Sequence, residues 1–398
     1  MLDAVIIGAG PAGCAAALRA SARGLRVMVF DKARPGRDKT CGDGLTTNAL
    51  RQLRQLGIAV DALATHAPVG SAHVVAPDGT SVCLPLPTPT GFAATVTRKE
   101  LDATLTDAIA AQRIPVHYND ALVALTTDPN GVTVCTESRF TVRARYCVAA
   151  DGHFSRVRRI LEPERTRDLG AWHAVRQYHR NVHATDLWVV FDPALLPGYA
   201  WVFPLPDRRA NVGFCVPREH RGKALHTLNA RAMQILRPVL GPDATPEEAT
   251  RAWPIPCSYS QAQLVDGRVL YVGDAANVVD PMTGEGIAQA LETGAMAIDA
   301  IADAGAPGPV AQRYRRVVDR ELGRDLRFAQ RLSNILRSDR RANIALRIIN
   351  TNAWTRREFA RWMFEDYPRA FVGTPDRWVH RLRHRAVVNA QPSHAPHP

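Results

Sequence analysis

The chain predicts an α/β fold in which a parallel layer, assembled from separated segments, carries an inserted antiparallel sheet and a closing set of helices. Three observations support this. Residues 4–31 read as strand, helix, strand, and a matching strand and helix return only at 269–304. Much of the stretch between them alternates in polarity, with turn residues between segments, as antiparallel pairing requires. Beyond Pro309 the pattern is helical to about residue 364.

Residues 4–7 (Ala-Val-Ile-Ile) are uniformly apolar, as a strand covered on both faces should be. Residues 11–23 put Ala and Leu on one side of a helix, and Gly24 suits the left-handed position that ends it. The apolar run 25–30 completes a βαβ unit. Residues 46–56 form an amphipathic helix, and 73–76 and 80–84 flank the hairpin signal Pro77-Asp78-Gly79. A helix at 99–111 precedes a meander of strands at 116–125, 132–136 and 140–149. Strands at 172–181, 187–191, 200–205 and 211–216 follow, then helix over most of 218–240, closed by Gly241-Pro242. An apolar strand at 269–272 and a helix at 286–304 complete the layer. The proline-rich end, 386–398, predicts a disordered tail. No internal repeat is present.

At 398 residues the chain has room for two domains, and 46% hydrophobic with 22% charged residues is the composition of an ordinary globular protein. No apolar run reaches the roughly 18 residues of a membrane span. Met1-Leu2-Asp3 leads directly into the first strand, which predicts no signal peptide. Seven scattered cysteines without a C-x-x-C predict reduced thiols in a cytoplasm, with no disulfide frame and no metal site. The net charge of +12 is concentrated after Pro307, at Arg313, Arg315, Arg316, Arg320, Arg324, Arg327 and Arg331, then at Arg337, Arg340, Arg341 and Arg347. Several share helix faces at i, i+3 or i+4. They fit either an anionic partner, such as a lipid surface or a diphosphate, or a solvated helix in an arginine-rich chain. No recognition motif for nucleic acid accompanies them.

Four motifs carry chemistry. Gly8-Ala9-Gly10-Pro11-Ala12-Gly13 follows a strand and opens a helix. Gly8 permits the tight turn, Gly10 lets a pyrophosphate approach the backbone, and Gly13 lets helix and strand pack closely. The helix N-terminus then faces the phosphates. Asp31, with Lys32 beside it, ends the second strand about 20 residues on, where a carboxylate holds ribose hydroxyls. This predicts dinucleotide binding and does not separate FAD from NAD. Tyr271-Val272-Gly273-Asp274 and Gly284-Glu285-Gly286-Ile287 form the second motif. Asp274 suits a ribityl chain, and the amides of Gly286 and Ile287 open a helix whose dipole favours an anion. The alternative is a glycine-rich turn before a core helix. In the third, Asp151-Gly152 to Arg158, Ser155 or Asp151 caps a helix. In the fourth, Thr97-Arg98-Lys99-Glu100, Arg98 meets a phosphate or solvent. Separately, Tyr199, Trp201 and Phe203 alternate, so their rings share one strand face, either core or cavity wall.

These pieces in this order resemble the FAD-binding group that includes p-hydroxybenzoate hydroxylase, over nearly the whole chain. Lys39-Thr40-Cys41-Gly42-Asp43-Gly44-Leu45, Tyr199-Ala200-Trp201-Val202-Phe203-Pro204 and Gly284-Glu285-Gly286-Ile287 are similar to motifs of the geranylgeranyl reductase family. One departure is the turn before Tyr199. The family's proline stands three residues before the tyrosine; here that position is Leu196, and Pro197 sits one closer.

The resemblance implies a Rossmann-type FAD-binding domain of the p-hydroxybenzoate hydroxylase type (1–70, 98–165 and 265–305). An inserted antiparallel-sheet substrate domain (71–97 and 166–264), C-terminal helices (306–385) and the tail (386–398) complete the division. It implies non-covalent FAD at Gly8, Gly10, Pro11, Ala12, Gly13, Asp31, Lys32, Cys41, Gly42, Arg98, Leu122, Asp274, Gly284, Gly286 and Ile287. Cys41, Tyr199, Trp201 and Phe203 would line a substrate cavity beside the flavin; Cys41 also reads as a small residue in a crowded turn.

The implied reaction is hydride reduction of C=C bonds in a prenyl or polyene substrate. The alternative is a flavin monooxygenase or dehydrogenase acting on a natural-product intermediate, which Asp151-Gly152 keeps open. A halogenase needs a lysine at the substrate, and none of Lys32, Lys39, Lys99 and Lys223 falls in the 70–85 region where it is expected. With no second GxGxxG, electrons are expected from transiently docked NAD(P)H or a ferredoxin-type donor protein. The expected partners are therefore a small apolar substrate, an electron donor and an anionic membrane surface. Oligomeric state is not legible.

Overall fold

A computed structural model describes residues 1–86, 91–163, 170–219, 225–367 and 370. β1 (Leu2–Ile7) is buried from Ala4 to Ile7, which explains its uniformly apolar run. It lies parallel between β2 (Val27–Asp31) and β11 (Thr141–Ala149). The sheet extends past β2 to β8 (Val116–Tyr118), and past β11 to β19 (Val269–Tyr271) and β18 (Val265–Asp266). β9 (Leu122–Asp128) and β10 (Gly131–Thr136) hang from β11 as an antiparallel pair.

α1 (Pro11–Ala22) and α6 (Ile287–Ala304) meet through small residues. A Cβ at Gly294 would lie 2.2 Å from the Ala12 carbonyl oxygen, and one at Gly13 would lie 1.8 Å from that of Gly8. Only hydrogen fits at either place, so both glycines fix how closely helix, helix and sheet approach.

The second sheet runs β16 (Thr245–Pro246), β12 (Trp172–Arg180), β15 (Arg209–Pro217), β14 (Tyr199–Leu205), β13 (Leu187–Val190), β5 (Ser71–Val75), β6 (Ser81–Pro85), with β17 (Arg251–Ile255) also on β12. Its pairs are antiparallel except β13 with β5. α5 (Leu225–Leu240) covers one face with Leu228, Ala232, Leu236 and Leu240, a stripe four residues apart packed on Ala200, Val202, Val212 and Phe214. Because strand side chains alternate, the partners of Ala200 and Val202 on the other face are Tyr199, Trp201 and Phe203. β3 (Gly44–Leu45), β7 (Ala94–Thr95) and β4 (Ala67–Pro68) form a small third sheet, whose Thr95 hydroxyl donates to the Pro204 carbonyl of β14.

α2 (Thr47–Gln55) is capped by the Thr46 hydroxyl. α3 (Arg98–Ala111) follows β7. At α4 (Arg156–Leu161), Ser155 accepts from the Arg158 amide and Asp151 from that of Val157, so both candidate caps act together. α7 (Pro307–Val318) continues through a π-helical turn, Asp319–Gly323, into α8 (Arg324–Ile335). α9 (Asp339–Ile349) and α10 (Ala353–Met363) follow, the latter begun by a capping box of Asn352 and Thr355. None of the described helices is long and apolar enough to cross a membrane.

Two expectations need correction. The strand expected at 116–125 breaks at Asn119, whose φ is 54°, and its halves pair with different strands, β8 with β2 and β9 with β10. The helix expected over most of 218–240 runs from Leu225 to Leu240 among the described residues, and residues 220–224 lie outside them. β16 and β17, punctuated by Pro246 and Pro254, were not anticipated. The expected tail at 386–398 lies outside the described residues.

Candidate active site

A cavity of about 780 Å³ lies between the second sheet, the loops around Pro11, Cys41 and Asp274, and the C-terminal helices. Tyr199, Trp201 and Phe203 form one wall, with successive ring centroids 6.1 and 5.9 Å apart. The alternation therefore builds a cavity wall. The base is the 39–46 loop, Pro11, Asp274 and the 282–287 turn; the opposite side is Leu332, Leu346, Phe359 and Met363 from α8–α10.

The two motifs that were far apart in sequence touch here. A Cβ at Gly42 or Gly44 would sit 3.2 or 3.3 Å from Phe203 Cε2, so these glycines let the loop lie against the ring. Trp201 is seated on Gly213 of β15, where a Cβ would come within 2.4 Å of Trp201 Cζ2.

Behind the rings is a buried polar brace. Trp201 Nε1 donates to Asn211 Oδ1 at 3.0 Å. Asn211 Nδ2 donates to the Cys41 carbonyl at 2.7 Å and to Asp43 Oδ2 at 2.8 Å. Asp43 also accepts from the Tyr178 hydroxyl at 2.7 Å and the Arg98 amide at 3.1 Å. Burial pushes the Asp43 carboxyl up to about 6, the bonds from Tyr178 and Asn211 offsetting only part of it. Arg176, itself buried, stacks on Tyr178 at 4.1 Å and pairs with Asp38 and Glu248.

The ionisable residues of the base are held by one another. Lys39 pairs with Asp274 at 2.9 Å. Burial opposes the Asp274 charge, but Lys39, joined by Arg98 and His153, outweighs it and holds the carboxyl below its ordinary range. Arg98 is not in solvent: it is buried, lines the cavity and grips Asp102 with two 2.8 Å bonds. Burial raises the Cys41 thiol above its ordinary value, with nearby Arg98 compensating only in part, so Cys41 is not an activated thiolate. Burial likewise raises the Tyr199 phenol, whose hydroxyl donates to the Thr283 carbonyl.

The residues fit FAD at the glycine turn. A Cβ at Gly8 would strike the Ala150 carbonyl at 2.3 Å, whereas one at Gly10 meets nothing within 4 Å, so the backbone is open where a pyrophosphate would approach. Pro11 occupies the first turn of α1, with Ala12 and Gly13 buried after it. Asp31 ends β2; its carboxylate accepts from the Ala9 amide at 2.6 Å and the Ala33 amide at 2.7 Å. Lys32 beside it is exposed. Leu122 is buried at the start of β9, opposite Thr136 and away from the cavity lining. Gly284 and Gly286 flank Glu285, whose carboxylate accepts from the amides of Ile287 at 2.9 Å and Ala288 at 3.0 Å. The Ile287 amide is thus engaged by its own neighbour. Among the described residues, no group of three or more His, Cys, Asp or Glu is arranged to hold a metal ion.

Sequence reasoning missed the brace and the helical wall. Asn211, a buried polar residue in the apolar run Ala210–Val216, was the available signal for the first. Leu332, Leu336 and Leu346 among the arginines were the signal for the second.

Residues 1–303 match the family described as FAD binding domain. The chain is 30% identical to a menaquinone reductase of Mycolicibacterium smegmatis, over 84% of each chain. It is also 30% identical to digeranylgeranylglycerophospholipid reductase 1 of Methanopyrus kandleri, covering 84% of this chain and 90% of the other. In fold it is similar to a geranylgeranyl bacteriochlorophyll reductase-like protein from Thermoplasma acidophilum, with a TM-score of 0.78 at 21% identity over 94% of this chain and 98% of that one.

Proposed function

Because the chain belongs to the geranylgeranyl reductase family of FAD-dependent oxidoreductases, we propose that it reduces C=C bonds of a prenyl or polyene chain held in the cavity. The observation that carries this reading is the aromatic wall, which presents only apolar surface. The polar tips of Tyr199 and Trp201 are both spent, on the Thr283 carbonyl and on Asn211. A flexible alkene gains no hydrogen bond there; it gains exclusion of water and a narrowed set of orientations, which lowers the entropic part of the barrier. Menaquinone and digeranylgeranylglycerophospholipid, in the names of the relatives, both carry polyprenyl chains.

Gly8, Gly10, Gly13 and Asp31 would hold the dinucleotide end of FAD, and Asp274 with the 284–287 turn the flavin end. Bound FAD, reduced by NAD(P)H or a ferredoxin-type carrier, would supply the hydride, and a proton from water would complete each saturated bond. Cys41 keeps its proton at neutral pH because burial raises its pKa, and it lines the cavity as a neutral thiol.

Under anaerobic conditions with a chemical reductant, product should gain two mass units per double bond. Product that forms only with oxygen and carries label from ¹⁸O₂ would overturn the reading in favour of a monooxygenase. Trp201→Ala should lower turnover far more than it weakens FAD binding. Equal losses would return the ring to a purely structural part.

A further inference from the structure

The face of α8–α10 that surrounds the cavity mouth is built unlike the rest of the surface. Nine large hydrophobic side chains are exposed among the described residues, and five of them, Phe328, Ile335, Ile344, Ile348 and Trp354, stand on these three helices. Trp354 is 62% exposed and Ile348 60%. A merely solvated helix keeps its outward side polar. Here the spacing does the opposite. Phe328 and Ile335 lie seven residues apart on α8, and Ile344 and Ile348 four apart on α9, so each pair shares an outward stripe.

Arginines stand in the same stripes. Arg331 falls between the apolar pair of α8, and Arg340 and Arg341 precede that of α9. All three are exposed, and none has a carboxylate within ion-pair distance among the described residues. Phe328, Ile348 and Trp354 belong both to this exposed face and to the cavity lining, so the cavity opens there.

We infer that this face docks on an anionic lipid bilayer and that an apolar chain enters the cavity from the bilayer without crossing water. Interleaved large apolar and cationic side chains suit the boundary between acyl chains and negative headgroups. The overall charge of +12 favours the same partner. The entry route rests on the reductase reading above; the docking does not.

The test is flotation of the full FAD-loaded chain with vesicles of phosphatidylcholine, with and without phosphatidylglycerol. Binding should require phosphatidylglycerol. It should fall at least roughly tenfold when salt shortens the screening length from about 10 Å at 0.1 M to about 3 Å at 1 M. Arg340→Glu with Arg341→Glu, and separately Ile344→Asp, which lies outside the cavity lining, should each weaken binding by roughly tenfold or more. Bound flavin and its reduction by dithionite should be unchanged in both, which certifies the fold. Equal binding to both vesicle types, or no binding to either, would overturn the proposal. So would self-association that Ile344→Asp abolishes, since that would assign the face to a second copy. No turnover is measured, so failure here leaves the reductase reading standing, and failure of that reading leaves this result intact.

Discussion

The two walls of the cavity are held by different physics. On the β14 side, Trp201, Asn211, Asp43, Tyr178 and the Cys41 carbonyl form one continuous set of buried hydrogen bonds. On the α8–α10 side, Leu346, Ile349, Phe359 and Met363 meet the cavity through apolar contact. Hydrogen bonds have short reach and angular preference, so the first wall holds its rings in one place. Apolar contact is non-directional, so the second wall bounds a volume and tolerates changes of shape. The wall beside the Cys41 loop is therefore the fixed one, and the wall at the mouth is the adaptable one.

The largest effect should come from removing the centre of the brace. Asn211→Leu strips the Trp201 indole N–H and the Cys41 carbonyl of their Asn211 bonds in a dry interior, takes one donor from Asp43, and should cost about 3–5 kcal/mol. Denaturant unfolding of the FAD-loaded protein measures it; a loss below about 1 kcal/mol would make the two walls energetically alike.

The next effect is set by pH. The Asp43 carboxyl rises from 3.8 to about 6 on folding, so the native state holds this proton more tightly than the unfolded chain. Its stabilising contribution is complete below about pH 4 and is lost as pH rises through about 6. The full shift corresponds to about 3 kcal/mol. Relative to Asp43→Asn, the parent should be more stable near pH 5 than near pH 7.5, as read by paired thermal melts. A difference that does not change with pH would remove the buried carboxyl from the brace.

The smallest effect on stability should come from the adaptable wall. Ile349→Ala should cost only about 1–2 kcal/mol while changing which substrate chain lengths are preferred. Melting temperature and KM across a series of chain lengths separate the two outcomes. A large loss of stability with no change in preference would show that this wall is as rigid as the other.

This division also governs what was legible in the sequence. The βαβ unit and the glycine turn were readable because each is decided within a few residues, by an apolar run and by the absence of a Cβ. The aromatic wall was readable as a shared face because period two is local. The brace was not: Asn211 and Asp43 are 168 residues apart, and no local pattern connects them. The helical wall was obscured by composition, since its few leucines are outnumbered by arginines, and only packing shows that the leucines turn inward. The break at Asn119 was hidden because the residues on both sides carry strand character, and the backbone turns at one position between them.

Gly213 has a consequence for substrate size. The Trp201 ring rests on it with no clearance for even a methyl group, and the Val175 carbonyl blocks retreat on the other side, 2.3 Å from where a Cβ would stand. Any side chain at this position must drive the indole forward and shorten the space in front of it. The residue that gauges how long a molecule fits is thus one that no molecule in the cavity would touch. Among relatives that keep the tryptophan, shorter substrates should accompany alanine or serine at this strand position.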